Sequence, residues 1–276
     1  MSASASGKHE ECYSAGKVFG LTGGVGTGKS TVTEWLRALY RLPVIDADEV
    51  ARQVVEPGTL GYWLLRMWLG RGYFRREESA TESRWVLDRS RVAQRVFADA
   101  WVRFGLNALL RPLILSRIVW RLFLLRYVAS VKTPILLDAP LLFESRLHWI
   151  CAVTLVVYCR ADQQRERLRQ RHPEWSDAEI EQRIRAQWPL ERKLLRADVR
   201  VDNCGERVAV RERVVAAYTD AQAIARRRAK RRENILFGVV AIALLLVFSV
   251  ATYRGRHLQP MPFRTRWDRP APDTKG

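Results

Sequence analysis

Short apolar runs recur along the chain and are separated by segments in which apolar residues have helix-type spacing. We predict β-strands at five of these runs: residues 18–22, 43–46, 133–138, 152–158 and 199–202. The runs are apolar on both alternating faces, which is typical of strands that are buried on both sides. Strands of this kind separated by helices predict an α/β fold, in which helices cover both faces of a parallel sheet.

The segments between the strands favour helices. Residues 60–126 have mostly helical spacing, interrupted by the polar sequence RREESATES. Ser176 followed by Glu179 is a capping-box pattern, and it predicts a helix that extends through Gln187. A further helix should follow Gly205. The longest stretch without a predicted strand therefore forms a mainly helical insert between the second and third strands.

One apolar segment does not fit this alternation. Residues 235–253 contain no charge, and a helix of that length would span roughly 28 Å, close to the hydrocarbon core of a bilayer. Six of the eight residues 226–233 are basic, which predicts that the preceding domain stays in the cytosol. The expected arrangement is a single-pass C-terminal anchor, in the mitochondrial outer membrane rather than the endoplasmic reticulum. Residues 254–276 are expected to form a disordered basic tail.

The N-terminal residues 1–16 have no apolar core of the kind found in a secretory signal, and we interpret them as a disordered lead-in. The whole chain carries a formal charge of +18. Residues 1–205 contain 32 basic and 23 acidic residues, and residues 206–276 contain 15 and 6, so each part contributes +9. The first surplus favours polyanionic ligands such as nucleotides. The second would also suit a nucleic-acid-binding protein, although no RNA-binding motif accompanies it.

The sequence GGVGTGKS directly follows the first predicted strand and opens a helix. Gly23, Gly28, Lys29 and Ser30 match the pattern G-x-x-x-x-G-K-[ST], a loop whose backbone N–H groups surround phosphate oxygens. The dipole of the following helix adds positive potential there. Lys29 is expected to reach the β- and γ-phosphates of a nucleotide and Ser30 to bind Mg²⁺.

Carboxylates follow two of the other strands. Asp46 and Asp48 come at the end of the second strand, and Asp138 ends the apolar sequence ILLD, in the position of a Walker-B-type residue. Such groups should meet the glycine loop at the carboxyl edge of a parallel sheet. Asp48 is a candidate to accept a proton from an attacking hydroxyl or to hold magnesium through water. One of Asp46 and Asp48 is equally expected to cap the next helix.

Residues 163–171 (QQRERLRQR) are basic at helical spacing. Runs of this kind usually form a solvated surface, but near a phosphate-binding loop they also form lids that neutralise a transferring phosphoryl group. Binding to RNA phosphates is a third interpretation.

Together these segments resemble the dephospho-CoA kinase family. The resemblance covers about residues 17–220 and lies in the strings LTGGVGTGKSTV, IDADEVARQVVEPGT, LDRSRVAQRVFAD, LDAPLLFE and RADVRVDN, with Gln187 and Lys193 ahead of the last. It implies a P-loop nucleoside-triphosphate hydrolase/kinase fold with a helical CoA-binding insert, about 60–130, and a lid, about 160–190, within a kinase domain at 17–233. A His-Pro pair that is usual in the family is Arg111-Pro112 here.

The resemblance also implies the reaction, in which ATP with Mg²⁺ phosphorylates the ribose 3′-hydroxyl of dephospho-CoA. The expected catalytic residues are Asp48 as general base, Lys29, and Arg171 in the lid; Ser30 and Asp138 are expected at the metal. The expected substrate-binding residues are Asp46, Arg89, Pro140 and Leu141. The expected ATP-binding residues are Gly23, Gly24, Val25, Gly26, Thr27, Gly28, Lys29, Ser30 and Thr31.

Two other classes remain possible from the residues alone. One is another small-molecule P-loop kinase, for example one that acts on a nucleoside, which should lack the combined DAD and PLLFE strings. The other is a membrane scaffold that binds nucleotide without turnover, against which the intact Lys29, Ser30, Asp48 and Arg171 argue. A specific nucleic-acid partner is not expected.

Overall fold

The computed structural model describes residues 16–78 and 83–228. Its central element is a five-stranded, all-parallel sheet with the strand order β2-β5-β1-β6-β7. A separate antiparallel hairpin pairs β3 with β4. The strands are β1 (Val18–Gly23), β2 (Val44–Asp46), β3 (Phe74–Glu78), β4 (Ser83–Leu87), β5 (Ile135–Asp138), β6 (Val153–Tyr158) and β7 (Val199–Asp202).

Nine α-helices are found in the described ranges, and two of them, α4 and α5, follow each other almost directly. They are α1 (Lys29–Tyr40), α2 (Ala47–Gln53), α3 (Leu60–Leu69), α4 (Arg89–Ala98), α5 (Ala100–Phe123), α6 (Ala161–Arg171), α7 (Asp177–Arg185), α8 (Leu190–Arg196) and α9 (207–228). Short 3₁₀ segments occupy Arg71–Tyr73 and Leu147–Ile150, and a π-helical turn, Leu124–Val128, continues α5.

Both faces of the sheet are buried. On one face, Phe19 and Leu136 belong to a core cluster with residues of α1 and α9. The neighbouring strand residues Ile135, Leu137 and Val156 point to the opposite face and are also fully buried. All five predicted strands are present within two residues of their expected bounds, which confirms the prediction of a covered parallel sheet.

We predicted a mainly helical insert between β2 and β5, but the insert also contains two β-strands. The polar stretch 75–83 that we interpreted as a break supplies most of β3 and the first residue of β4, which form a hairpin with Phe74 opposite Leu87 and Arg76 opposite Trp85. Phe74 packs edge-on against Tyr62, with ring centroids 5.2 Å apart. The hairpin was missed because the charged residues Arg75, Arg76 and Glu77 are exposed and conceal the alternation, while Phe74 beside them is buried in the core of the insert.

Among the described residues, no helix is both long and apolar enough to cross a membrane. The predicted span at 235–253, the tail at 254–276 and the N-terminal residues 1–15 lie outside the described residues. The predicted membrane localisation is contradicted by this finding. The anchor and its assignment to the mitochondrial outer membrane or endoplasmic reticulum are therefore withdrawn.

Candidate active site

The glycine loop connects the carboxyl end of β1 to α1 and forms a tight turn. The backbone N–H of Thr27 donates to the carbonyl of Gly24 at 3.2 Å, and the Thr27 hydroxyl donates to the same carbonyl at 2.8 Å. Gly28, which precedes α1, has a left-handed backbone with φ of 82°. A Cβ at Gly28 would lie 2.0 Å from the Asn203 side-chain nitrogen, so both conformation and space require glycine there.

Side chains from distant elements hold this loop by its peptide groups. Gln164 of α6 donates to the Val25 carbonyl at 2.6 Å, and Gln187 accepts from the Val25 N–H at 3.1 Å. Asn203, just after β7, donates to the Thr27 carbonyl at 2.6 Å, and Arg167 donates to it at 3.3 Å. These contacts immobilise a loop that must hold phosphate without rearranging.

None of the roles of Gln164, Arg167 and Asn203 was predicted from the sequence. Arg167 lies inside the basic run that we interpreted as a lid, yet it supports the loop and also donates to the Asn203 carbonyl at 2.9 Å. The string VDN and the helical position of Gln164 were the available signals, but neither identifies a partner.

Lys29 forms a largely buried ion pair with Asp138, and the Thr33 hydroxyl donates to the second Asp138 oxygen at 2.8 Å. Asp138 ends β5 directly beside β1 and β2, where its register partners are Leu21 and Asp46. The structure therefore brings the loop lysine and the Walker-B-type carboxylate into contact, as their positions in the sequence predicted.

Asp46 and Asp48 occupy the same edge of the sheet but differ in their contacts. Asp46 is the N-cap of α2, and its carboxylate accepts from the N–H of Asp48 at 2.8 Å and of Glu49 at 3.2 Å. Within the described ranges, no hydrogen bond or ion pair engages the Asp48 side chain, which stays accessible to solvent. Asp46 is therefore the capping residue of the pair.

The surroundings of Asp48 also change its acidity. Partial desolvation raises the pKa of the Asp48 carboxyl above its ordinary value, and the neighbouring Asp46 carboxylate adds to this rise. The Lys29 ammonium lowers the Asp48 pKa, and Asp138 raises it. A carboxylate with a raised pKa is a better proton acceptor than an ordinary aspartate.

Oxygen atoms of the kind that Mg²⁺ prefers lie at this edge of the sheet. Among residues 16–78 and 83–228, no three His, Cys, Asp or Glu side chains form a metal-binding group. Mg²⁺ usually takes only one or two protein oxygens and completes its shell with water and substrate phosphates. The exposed Ser30 hydroxyl at the start of α1 and the Asp138 carboxylate at the end of β5 are donors of the required kind.

The remaining predicted residues are more scattered. Pro140 lies beside the glycine loop, since its carbonyl accepts from the Thr22 hydroxyl at 3.0 Å, and Leu141 next to it is exposed. Arg89 is an exposed residue at the start of α4 in the insert. Arg171 ends α6, is exposed, and has no ion pair or hydrogen bond to another described side chain. The structure does not bring Arg89 or Arg171 into contact with the loop.

Helices α6 and α7 are tied to each other by charge. Arg165 pairs with Glu181, and Arg169 pairs with Asp177 at 2.9 Å. The predicted capping box of α7 is confirmed, because Ser176 and Glu179 exchange both hydrogen bonds. These two helices therefore form a paired unit, which carries Arg171 at the turn between them.

A model of the dephospho-CoA kinase family matches residues 17–209. The dephospho-CoA kinase of Geobacillus kaustophilus is 39% identical over 198 residues, which cover 71% of this chain and 92% of the relative. A dephospho-CoA kinase domain-containing protein of Danio rerio is 38% identical over 201 residues, covering 72% and 83%.

Among solved structures, a Thermus thermophilus protein has a TM-score of 0.58 and 29% identity, with 74% of this chain and 96% of that chain covered. The dephospho-CoA kinase of Campylobacter jejuni, at 21% identity, shares the fold, with a TM-score of 0.54 and coverage of 75% and 97%. Together with the glycine loop and the carboxylates opposite it, these matches establish that the chain belongs to the dephospho-CoA kinase family.

Proposed function

We propose that this chain transfers the γ-phosphoryl group of ATP to the ribose 3′-hydroxyl of dephospho-CoA. The products are coenzyme A and ADP, and the reaction is the final step of coenzyme A biosynthesis. The observation that carries the proposal is the family match over residues 17–209, on a fold that sets a complete phosphate-binding loop against Asp48.

On the donor side, the loop residues Gly23–Thr31 would hold the phosphates through backbone N–H groups and the N-terminus of α1. Lys29 would leave Asp138 for the β- and γ-phosphates, so that phosphate charge replaces carboxylate charge around the ammonium. Mg²⁺, when bound, would be held by Ser30 and by Asp138, and it supplies neutralisation of the phosphate charge.

On the acceptor side, we assign proton acceptance to Asp48. Its carboxylate is accessible and is not used as a helix cap, because Asp46 has that role. As the 3′-hydroxyl oxygen forms its bond to phosphorus, the hydroxyl proton would move to a carboxylate oxygen of Asp48. Asp46, Pro140 and Leu141 line the same edge of the sheet and are assigned to the acceptor wall.

The proposal also assigns a role to three regions of the chain. Residues 17–233 form the kinase domain, about 60–130 form the acceptor-binding insert with Arg89, and about 160–190 form the lid. The ion pairs between α6 and α7 support a lid built on these two helices. Because Gln164 and Arg167 of α6 hold the glycine loop, closure would be a movement of α7 and the carboxyl end of α6, which would carry Arg171 towards the phosphates.

The full-length chain, purified and supplied with Mg·ATP, tests the proposal. We expect ADP and coenzyme A to form in equal amounts from dephospho-CoA, with a kcat/KM far above that for adenosine or a nucleoside monophosphate. Lys29→Met serves as the inactive control. Equal rates on plain nucleosides would instead indicate another small-molecule kinase, and ATP binding without ADP formation would indicate a scaffold.

A further inference from the structure

Lys193 of α8 is fully buried behind the glycine loop, although lysine is rarely buried. Its ammonium donates to the Pro140 carbonyl at 2.7 Å and to the Gly23 carbonyl at 3.3 Å, and it pairs with Glu144 at 3.1 Å. An ammonium has three donors, so all of them are used.

These partners belong to different walls of the site. Gly23 is the last residue of β1 and the first glycine of the loop, on the donor side. Pro140 follows Asp138 on the acceptor side and also accepts from Thr22. The Lys193 ammonium therefore spans the two walls behind the place where phosphoryl transfer is proposed.

Glu144 links this ammonium to the lid. The Glu144 carboxylate oxygen that pairs with Lys193 also accepts from the Trp188 N–H at 3.0 Å. Trp188 follows Gln187, whose side chain holds the tip of the glycine loop at Val25. Residues 187–193, which run from the connection after α7 into the first turn of α8, are thus attached to the glycine loop at both its tip and its base.

Stability alone is a poor reason for such an arrangement. Burial lowers the pKa of Lys193 and so disfavours its charge, while Glu144 restores part of that preference. A buried ion pair often contributes no more stability than apolar side chains of the same volume, and polar groups kept in a core frequently set geometry instead. The second Glu144 oxygen is also buried, with no hydrogen-bond partner in the described part of the chain.

We propose that Lys193 is a positioning residue for phosphoryl transfer, which sets the spacing between the donor wall at Gly23 and the acceptor wall at Pro140. It acts through these carbonyls and does not touch substrate, because it is completely covered by protein. Glu144 keeps the ammonium in place and connects its position to the lid. The inference rests on the proposed function and adds a residue to the same site.

Two variants separate an effect of Lys193 on the geometry of the site from an effect on the stability of the fold. Lys193→Met leaves Glu144 buried without its partner, so this variant alone is expected to lower the melting temperature. The double variant Lys193→Met/Glu144→Leu removes both charges and is expected to recover that temperature. We expect kcat for dephospho-CoA to stay about 100-fold below the wild-type value in the double variant. Its KM for ATP should stay within about threefold of wild type.

Lys17→Met is the matched control. Lys17 is also buried and donates to a backbone carbonyl, that of Ala225 at 2.9 Å, but it precedes β1 and so lies at the amino end of that strand, away from the glycine loop at its carboxyl end. This variant should lose thermal stability and keep the wild-type kcat. A double variant with kcat within threefold of wild type would overturn the inference, as would an effect confined to the KM for ATP. A wild-type chain without kinase activity would instead refute the proposed function itself.

Discussion

Asp46 caps the helix that presents Asp48. The Asp46 carboxylate accepts a hydrogen bond from the N–H of Asp48 at 2.8 Å, so one of the two carboxylates in this short sequence is used as a helix cap. Capping consumes Asp46, whereas the side chain of Asp48 remains available at the edge of the sheet. This division determines what substitution of either residue should do.

Asp48→Asn should lower kcat by about 100-fold or more, because the amide keeps the size of the carboxylate but cannot accept the proton. The affinity for ATP should change little. Steady-state kinetics and nucleotide binding at equilibrium would measure the two effects separately. Asp46→Ala is the informative comparison, since loss of the cap should cost about 1 kcal/mol of unfolding free energy. An Asp48→Asn enzyme with wild-type turnover would remove Asp48 from the reaction.

The raised pKa of Asp48 makes a prediction about pH. A base must be ionised, so kcat/KM should rise with pH through a pKa above the ordinary aspartate value, and Asp48→Asn should remove that limb. For stability the sign is opposite. Because the folded-state pKa of Asp48 lies above the unfolded-state value, the protonated carboxyl favours folding and the ionised carboxylate disfavours it. The stabilisation from protonated Asp48 is complete below the unfolded pKa and is lost as pH rises through the folded pKa. Asp48→Asn should therefore be at least as stable as wild type at pH 7 in thermal melts.

Lys29→Met should abolish transfer and also weaken the fold. It removes the charge expected at the phosphates, and it leaves Asp138 buried with only the Thr33 hydroxyl as its partner. Loss of one member of a buried pair costs about 3 kcal/mol. The double variant Lys29→Met/Asp138→Asn should regain stability in urea titrations but remain inactive. Turnover within tenfold of wild type, about 1.4 kcal/mol of barrier, would contradict the role of Lys29.

Gly28→Ala should prevent ATP binding and destabilise the chain. The left-handed backbone at Gly28 costs an alanine about 1–2 kcal/mol, and its Cβ would collide with Asn203. Two glycines provide matched controls. Gly58 also has a positive φ, of 88°, but open space around it, and Gly72 has open space without a positive φ. In chemical denaturation, the loss of unfolding free energy should be largest for Gly28→Ala, smaller for Gly58→Ala and smallest for Gly72→Ala. Equal losses for the three variants would show that the loop tolerates a side chain.

Arg171→Met should reduce kcat by about 100-fold if lid closure brings the guanidinium to the transferring group. Its melting temperature should match that of wild type, because Arg171 is exposed and makes no contact that the fold needs. Arg169→Met breaks the ion pair between α6 and α7 at Asp177 and tests whether lid closure depends on that link. If Arg171→Met retains full activity, the lid works without this residue.

Much of the architecture follows from local pattern. Uniformly apolar runs can be stable only where both faces are covered, so the five strands and their parallel arrangement could be predicted. The glycine loop was equally predictable, because a chain that approaches phosphate through its backbone requires glycine and a following helix. Ser176 and Glu179 mark the start of α7 because a capping box involves residues only three apart.

The limits of local pattern appear at particular residues. Phe74 is the buried apolar residue of β3 and is followed by charged residues, so no alternation of apolar and polar positions indicated the hairpin. The apolar length at 235–253 suggested a membrane span, whereas among the described residues no helix is long and apolar enough to cross a membrane. Which of Asp46 and Asp48 caps α2 depends on the direction in which the chain leaves β2, and this direction is visible only in three dimensions.

The sequence by itself determined the buried strands, the phosphate-binding loop and the carboxylates that end two of the strands, because each leaves a signal within a short segment of the chain. Only the tertiary structure decided how these parts are held together. Lys193 lies 170 residues from Gly23, and Asn203 lies 176 residues from Thr27. Contacts at such separations leave no periodic signal, because they arise only when the strands order themselves within the sheet and bring their carboxyl ends to a common edge.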